Sequence, residues 1–339
     1  MSEATAAAPP NPVAIFDAIN AYIVSRALQG AIKLNLFTVI GEGATTPAAI
    51  APRAQANERG VRILCDFLTI HGFLTKNGSE YGLPPVSAAF LNRNSPAYMG
   101  SIADFLLTDS HFDNFKDVAG VVRKGGTLYA EGNMAPENPI WVEFAKSMVP
   151  IVGGTAEGIA KLVAQPGRAI KVLDIAAGHG VFGITIARHN PQAQIVAQDW
   201  KSVLAVAQEN AAKAGVTARF RTIPGSAFDV DFGSGYDVVL LPNFLHHFDP
   251  PTNIKLLKKV HAAMNPGGRV ATAEFVPNED RVTPPVSAAF SMMMLGSTPA
   301  GDAYTFREYD QMFRKAGFGA STVQNLEMSP EQLILTERG

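Results

Sequence analysis

The chain has 339 residues, with 28 basic against 30 acidic side chains and a net charge of -2. That length suits two domains, and the balanced charge excludes an overall field that draws the protein to nucleic acid or an anionic membrane, leaving a small molecule as the expected partner. One cysteine, Cys65, excludes an internal disulfide; the opening lacks a basic and apolar leader, and no apolar run nears the roughly 20 residues of a bilayer span, so a cytoplasmic protein is expected.

Residues 1–12, rich in Ala and Pro, are expected to form a disordered tail. Beyond them Ile19, Tyr22, Ile23, Leu28, Ile32, Leu34 and Phe37 recur at near-helical spacing, which predicts one or two amphipathic helices with Gly30 as the weak point. Thr46 before Pro47 opens a second helix. Asn57 caps a third that runs to about His71 and stops at Gly72. Asn77-Gly78 between two short apolar runs signals a hairpin. Helix, turn, helix and hairpin make a winged-helix pattern over 13–100, which raises a ligand-sensing DNA-binding regulator as one hypothesis. Residues 1–100 carry seven Lys and Arg against six Asp and Glu, a difference of +1. The would-be recognition helix is mostly apolar. Phosphate neutralisation needs more, so dimerisation or packing is the favoured role for this region.

Residues 101–165 read as a helical connector. Trp141, Phe144 and Met148 fall at i, i+3 and i+7, on one helix face that serves either the core or the wall of an apolar pocket. From residue 166 the pattern becomes alternating strands and helices: "KVLDIAA", "AQIVAQDW", "ARFRTI", "YDVVLLPN" and "RVATAEFV" as strands with helices between, then a helix and a closing strand pair, "GASTVQNL" and "EQLILTE". That predicts an α/β, Rossmann-like, doubly wound sheet with an antiparallel last strand, behind a mainly helical N-terminal domain.

"DIAAGHGVFG" contains G-x-G-x-x-G at Gly178, Gly180 and Gly183, with Asp199 about twenty residues later. Glycines let the backbone turn sharply and a ligand approach closely. A nicotinamide domain usually carries two mononucleotide-binding halves, whereas this chain has one set of strands and an antiparallel pair. Asp174 would repel a pyrophosphate but help to hold an ammonium group, and Asp199 at a strand end can accept from both ribose hydroxyls. These features favour S-adenosylmethionine over a dinucleotide.

The order and spacing of "ALQGAIKLNLF", "ILCDFLTIHGFLTKNGSEYGL", "DIAAGHG", "AQDW", "LPNFLHHFDP" and "TFREYDQMFRKAGF" resemble one family over nearly the whole chain. It is the class I, S-adenosylmethionine-dependent small-molecule O-methyltransferases with an N-terminal winged-helix dimerisation domain, among them plant phenolic and bacterial polyketide O-methyltransferases. The resemblance implies a homodimer through 13–100 and a cofactor domain over 166–339. Gly178 and Gly180 would lie against the methionine part, Asp199 on the ribose, and Trp200 against the adenine, which Ala227 and Phe228 flank. Ser226 stands where the family has a carboxylate and Pro242 where it has a lysine; Asn243 follows as a further cofactor contact.

The resemblance also implies chemistry at "PNFLHHFDPP". His246 matches the family's base histidine, in the loop that Asp249-Pro250 ends by starting a helix. Glu274, at the end of "ATAEFV", matches the first acidic partner, whereas Ala303 replaces the second and Asp302 is only its neighbour. A positioned carboxylate orients the imidazole and stabilises its protonated form. His247 is a structural or substrate-contacting neighbour, and Met148 and Met294 match positions that face an aromatic acceptor, although a buried helix explains "SMMML" equally well. No cluster has metal-ligand spacing, so no metal is expected. The expected activity is methyl transfer from S-adenosylmethionine, with S-adenosylhomocysteine as product, to a hydroxyl of a small aromatic or polyketide-like acceptor. Nitrogen or carbon methylation, or a relative that has lost transfer, stays open.

Overall fold

The computed structural model describes residues 11–130, 132, 135–327 and 329–339, so the expected tail falls outside the described residues except at Asn11 and Pro12. The chain divides into two compact units, one ending at Leu107 and one from Thr108 to Gly339.

The first unit holds α1 (Val13–Lys33), α2 (Leu36–Gly41), α3 (Pro47–Arg53), α4 (Glu58–Ile70), the hairpin β1 (Thr75–Asn77) and β2 (Glu80–Gly82), α5 (Pro85–Phe90) and α6 (Ile102–Leu106). The break in the first helical stretch comes at Asn35 (φ 56°), not at Gly30, which stays inside α1. Asparagine tolerates the left-handed region, so it ends a helix as a glycine would. Thr46 and Asn57 cap α3 and α4 as their sequences predict, accepting from the Ala49 and Gly60 amides. Asn77 pairs with Glu80, so the two-residue loop is Gly78-Ser79, one position later than expected, with Gly78 at φ 58°. Leu36, Phe37, Ile50, Val61, Cys65, Leu68 and Tyr81 form the core. Arg26 and Gln29 on α1 both donate to the Leu107 carbonyl and tie the end of this unit to its first helix. The first half of α1 leaves Val13, Ile15, Phe16, Ile19 and Tyr22 exposed.

The second unit opens with α7 (Asp109–Asp113), α8 (Val118–Lys124), α9 (Ile140–Ser147) and α10 (Val149–Val163). A seven-stranded sheet follows, formed by β3 (Lys171–Ile175), β4 (Gln194–Asp199), β5 (Phe220–Pro224), β6 (Tyr236–Leu240), β7 (Met264–Glu274), β8 (Ser321–Asn325) and β9 (Gln332–Glu337). Its order is β5-β4-β3-β6-β7-β9-β8; the first five are parallel and β9 runs antiparallel between β7 and β8. Between them run α11 (Val181–His189), α12 (Lys201–Lys213), α13 (Pro250–Ala263), α14 (Pro285–Ser297) and α15 (Phe306–Lys315). Strands such as "KVLDI" are near-continuously apolar because both sheet faces are covered, by one core with α10 and α11 and another with α13 and α15. Strand order reverses between β3 and β6, and a ligand site is expected beyond their carboxyl ends. Among the described residues no helix is long and apolar enough to cross a membrane.

Candidate active site

Leaving β3, the chain passes through Ala176 (φ 51°), Gly178 (φ 56°) and Gly180 (φ 73°) before α11 begins. The Gly178 amide donates to Asp199 Oδ2 at 2.8 Å and the Trp200 amide to Asp199 Oδ1 at 2.7 Å, so the end of β4 is stitched to the glycine turn. Burial pushes the Asp199 carboxyl up to about 6 against the pull of those two amides. A Cβ on Gly180 would sit 3.0 Å from Ala207 Cβ, and one on Gly183 would press on Ile195 and Asp174. These two glycines therefore let α11 pack closely on α12 and on the sheet. Asp174 is fully buried and accepts from the Gly183 amide at 3.0 Å; its Oδ1 is buried without a partner, and burial pushes its carboxyl up to about 8.

The second half of the site grows from the end of β6. Asn243 adopts φ 53° and its amide donates to the Ala273 carbonyl at 2.8 Å. The next two amides, of Phe244 and Leu245, donate to Glu274 Oε1 at 3.1 and 2.9 Å, and Glu274 Oε2 lies 2.5 Å from His246 Nδ1. Asn253 Nδ2 donates to the Leu245 and Phe248 carbonyls, the Tyr304 hydroxyl donates to Phe248, and Asp249 caps α13 through the Thr252 amide. This loop is thus fixed on all sides. A Cβ on Gly301 would run into the His246 carbonyl, which also accepts from the Asp302 amide.

His246 and Glu274 are both buried. Burial pushes the imidazole down to about 3 and the carboxyl up to about 8, so the pair titrates as a unit around one exchangeable proton. When Glu274 is ionised, all of its donors face it: Nδ1 carries the proton and Nε2 keeps a free lone pair. Asp302 does not supply the absent second carboxylate. Its side chain is taken by Arg281 at 3.2 Å and by the Ala303 amide at 2.8 Å.

Aromatic contacts join the two halves. Phe144 lies 3.5 Å from where a Gly178 Cβ would be and stacks on His179, Trp141 meets Phe144 at 5.9 Å and His247 at 5.3 Å, and His247 meets His246 at 4.3 Å. Met148 does not share α9 with them: it is the junction with α10, where Pro150 starts a new helix. Met148 and Met294 are both buried. Ser226 Oγ accepts from the Phe228 amide, Ala227 is buried with its carbonyl on Lys259 Nζ, and Phe228 meets Phe248 at 4.9 Å. Trp200 is half-buried beside Asp199. Sequence reasoning missed Phe290, edge-on to the His246 ring at 4.9 Å, and Glu331, which accepts from Asn243 Nδ2 at 2.8 Å. Neither sits in a motif, so only the folded contacts identify them.

Residues 144–319 match the family model of the O-methyltransferase domain, and 16–93 match the O-methyltransferase dimerisation domain. The 3-hydroxy-5-methyl-1-naphthoate 3-O-methyltransferase of Streptomyces sahachiroi is 28% identical over 315 residues, 90% of this chain and 89% of its own. The crystal structure of an O-methyltransferase candidate from Nostoc punctiforme PCC 73102 is 48% identical and superposes with a TM-score of 0.94 over 97% of this chain and 100% of that one. Human N-acetylserotonin methyltransferase in complex with S-adenosylmethionine shares the fold, with a TM-score of 0.84 at 21% identity over 99% of this chain and 100% of that one.

Proposed function

The chain belongs to the O-methyltransferase family and carries both its dimerisation and its catalytic domain, and from this premise we propose that it methylates a phenolic hydroxyl of a small aromatic or polyketide-like molecule, with His246 as general base and Glu274 orienting it. The observation that carries the proposal is the 2.5 Å contact of His246 Nδ1 with a Glu274 carboxylate whose other oxygen is held by two amides. The naphthoate hydroxyl used by the Streptomyces sahachiroi relative is of the proposed acceptor class. Trp141, Phe144 and Phe290, close to the two histidines and the glycine turn, suit a flat apolar acceptor.

The residues on β3 and β4 fit an adenosyl sulfonium cofactor. Asp199 uses each oxygen for one backbone amide and keeps lone pairs for ribose hydroxyls, and Gly178 (φ 56°) turns the backbone sharply beside Asp199 where a methionine group can approach it. When bound, S-adenosylmethionine supplies an electrophilic methyl group and a neutral sulfide leaving group. The chain's own work is then to align the acceptor oxygen, exclude water and accept the proton. Alignment of reacting groups can contribute roughly 7–11 kcal/mol and a positioned base roughly 10² to 10⁴ in rate. The acceptor proton moves to His246 Nε2, and the resulting positive charge faces the Glu274 carboxylate across Nδ1–H. With a phenol pKa near 10 and an imidazole near 6.5 in the unperturbed state, transfer completes only as the oxygen attacks.

The exposed apolar residues on α1, within the matched dimerisation domain, support a homodimer through the first unit. The direct test of the function is incubation with methyl-labelled S-adenosylmethionine and a panel of hydroxynaphthoates, phenols, flavonoids and amines. Label on a phenolic oxygen is the expected result. Label only on nitrogen or carbon would contradict it.

A further inference from the structure

The left-handed turn at Asn243 decides where the dyad points. Up to this residue the chain leaving β6 still follows β7, with the Leu241 amide on the Ala271 carbonyl and the Asn243 amide on the Ala273 carbonyl. A residue at φ 53° then swings the next two amides off the strand's carbonyls and onto Glu274. Those amides, with His246 Nδ1, are the donors that hold the Glu274 carboxylate. Ala303 offers no carboxylate and Asp302 is engaged with Arg281, so within a loop that Asn253 and Tyr304 also hold, this turn is what brings the Phe244 and Leu245 amides to Glu274.

Asparagine is only a tolerant occupant of the left-handed region, not a fixed one. Its side chain is pinned from a third strand: Nδ2 donates to Glu331 Oε1 at 2.8 Å, just before β9, whose first residue Gln332 pairs with Glu274. Glu331 is itself held. Its amide donates to Ser329 Oγ at 3.1 Å, and Ser329 Oγ accepts from Thr155 Oγ1 on α10 at 3.1 Å. A partly buried carboxylate at this position otherwise has a cost, since it lies near Glu274, and burial and that neighbour both push it up.

We propose that Glu331 is a positioning residue for the His246–Glu274 dyad, acting through Asn243 by locking the turn that brings the Phe244 and Leu245 amides onto Glu274. The inference rests on the dyad being the catalytic base. Its effect is on orientation, so cofactor binding is unaffected by it.

The test uses the full chain labelled with ¹⁵N-histidine. The Nδ1–H proton of His246, hydrogen-bonded to a carboxylate, gives a far-downfield resonance that is assigned by its loss in His246→Ala. Glu331→Ala and Asn243→Ala break the same contact from opposite sides. Each is expected to speed exchange of that proton with water at least tenfold, and the double variant to be no faster than either alone. Glu331→Gln, whose amide oxygen still accepts from Asn243, is expected to stay within twofold of the unaltered protein. Calorimetric binding of S-adenosylhomocysteine is expected to stay within twofold in both Glu331 variants. Unchanged exchange in either folded alanine variant overturns the proposal, as does a Glu331→Gln variant as impaired as Glu331→Ala, or a loss confined to S-adenosylhomocysteine binding. Methyl transfer by the same preparations separates the two ideas: if His246→Ala transfers as fast as the unaltered protein, the base assignment falls, whatever Glu331 does to the resonance.

Discussion

The two halves of the sheet's carboxyl edge solve a similar electrostatic problem in opposite ways. At the β3–β4 half, Asp199 and Asp174 accept from backbone amides alone, and Asp174 Oδ1 is buried with no partner. At the β6–β7 half, Glu274 also takes two amides but adds an imidazole as third donor. An unsatisfied buried carboxylate costs roughly 1–3 kcal/mol or more, whereas a satisfied one is a rigid fixture. The first half is therefore a receptacle with acceptor capacity still to fill, and the second a pair already oriented for proton transfer. On the proposed function, binding and chemistry are divided across the switch point.

The sharpest way to break this contrast is to make Glu274 unable to ionise. Glu274→Gln is expected to lower kcat by about 10³, since a misdirected tautomer in comparable dyads costs up to roughly 10⁴, with S-adenosylhomocysteine binding within a few-fold by calorimetry. On the other half the effect should invert. Asp199→Ala is expected to weaken cofactor binding by roughly 10- to 100-fold, the worth of one or two charge-assisted hydrogen bonds, while kcat at saturating cofactor changes far less.

pH separates the halves further. The proton shared by His246 and Glu274 blocks the base, and with the Glu274 carboxyl raised to about 8 kcat/KM is expected to rise with pH toward a single limb near that value; a flat profile from pH 6 to 9 would contradict it. Asp174 bears on stability instead. Its carboxyl is raised to about 8 in the folded chain, so its contribution is present below the unfolded value of roughly 3.9 and is lost as pH rises through the folded one. Without cofactor the melting temperature of the unaltered protein should fall between pH 5 and 8, and Asp174→Asn should flatten that fall.

The smallest expected effect lies at Ala176, held at φ 51° where a side chain is strained. Ala176→Gly is expected to stabilise the chain by about 0.5–1 kcal/mol, the relief of left-handed strain less the added chain entropy. Denaturant melts measure it.

How legible this was depended on how local the cause was. Thr46, Asn57 and Asp249 announce their helices because a cap needs only its own next three residues. The apolar strands announce the sheet in the same way. The two helices expected here break at Asn35 and not at the weak point Gly30, and the hairpin turn lies one position later than expected because Asn77 and Gly78 are both good turn residues. At the site, His246 and Glu274 were reachable from the family's order of motifs. Asn243 and Glu331, 88 residues apart, meet only because β9 runs back antiparallel beside β7, which no spacing encodes. Whether Asp302, adjacent to the missing acid, could stand in for it was likewise not legible from sequence: Arg281 engages its carboxylate.

The proposed function turns on His246 taking the proton rather than merely lining the site. Its most direct measurement is the single-turnover rate of methyl transfer to whichever phenol of the panel takes label, in the unaltered protein and in His246→Ala, at saturating S-adenosylmethionine. A loss of roughly 10² to 10⁴ with S-adenosylhomocysteine binding retained is expected. Transfer by His246→Ala at the unaltered rate would contradict it.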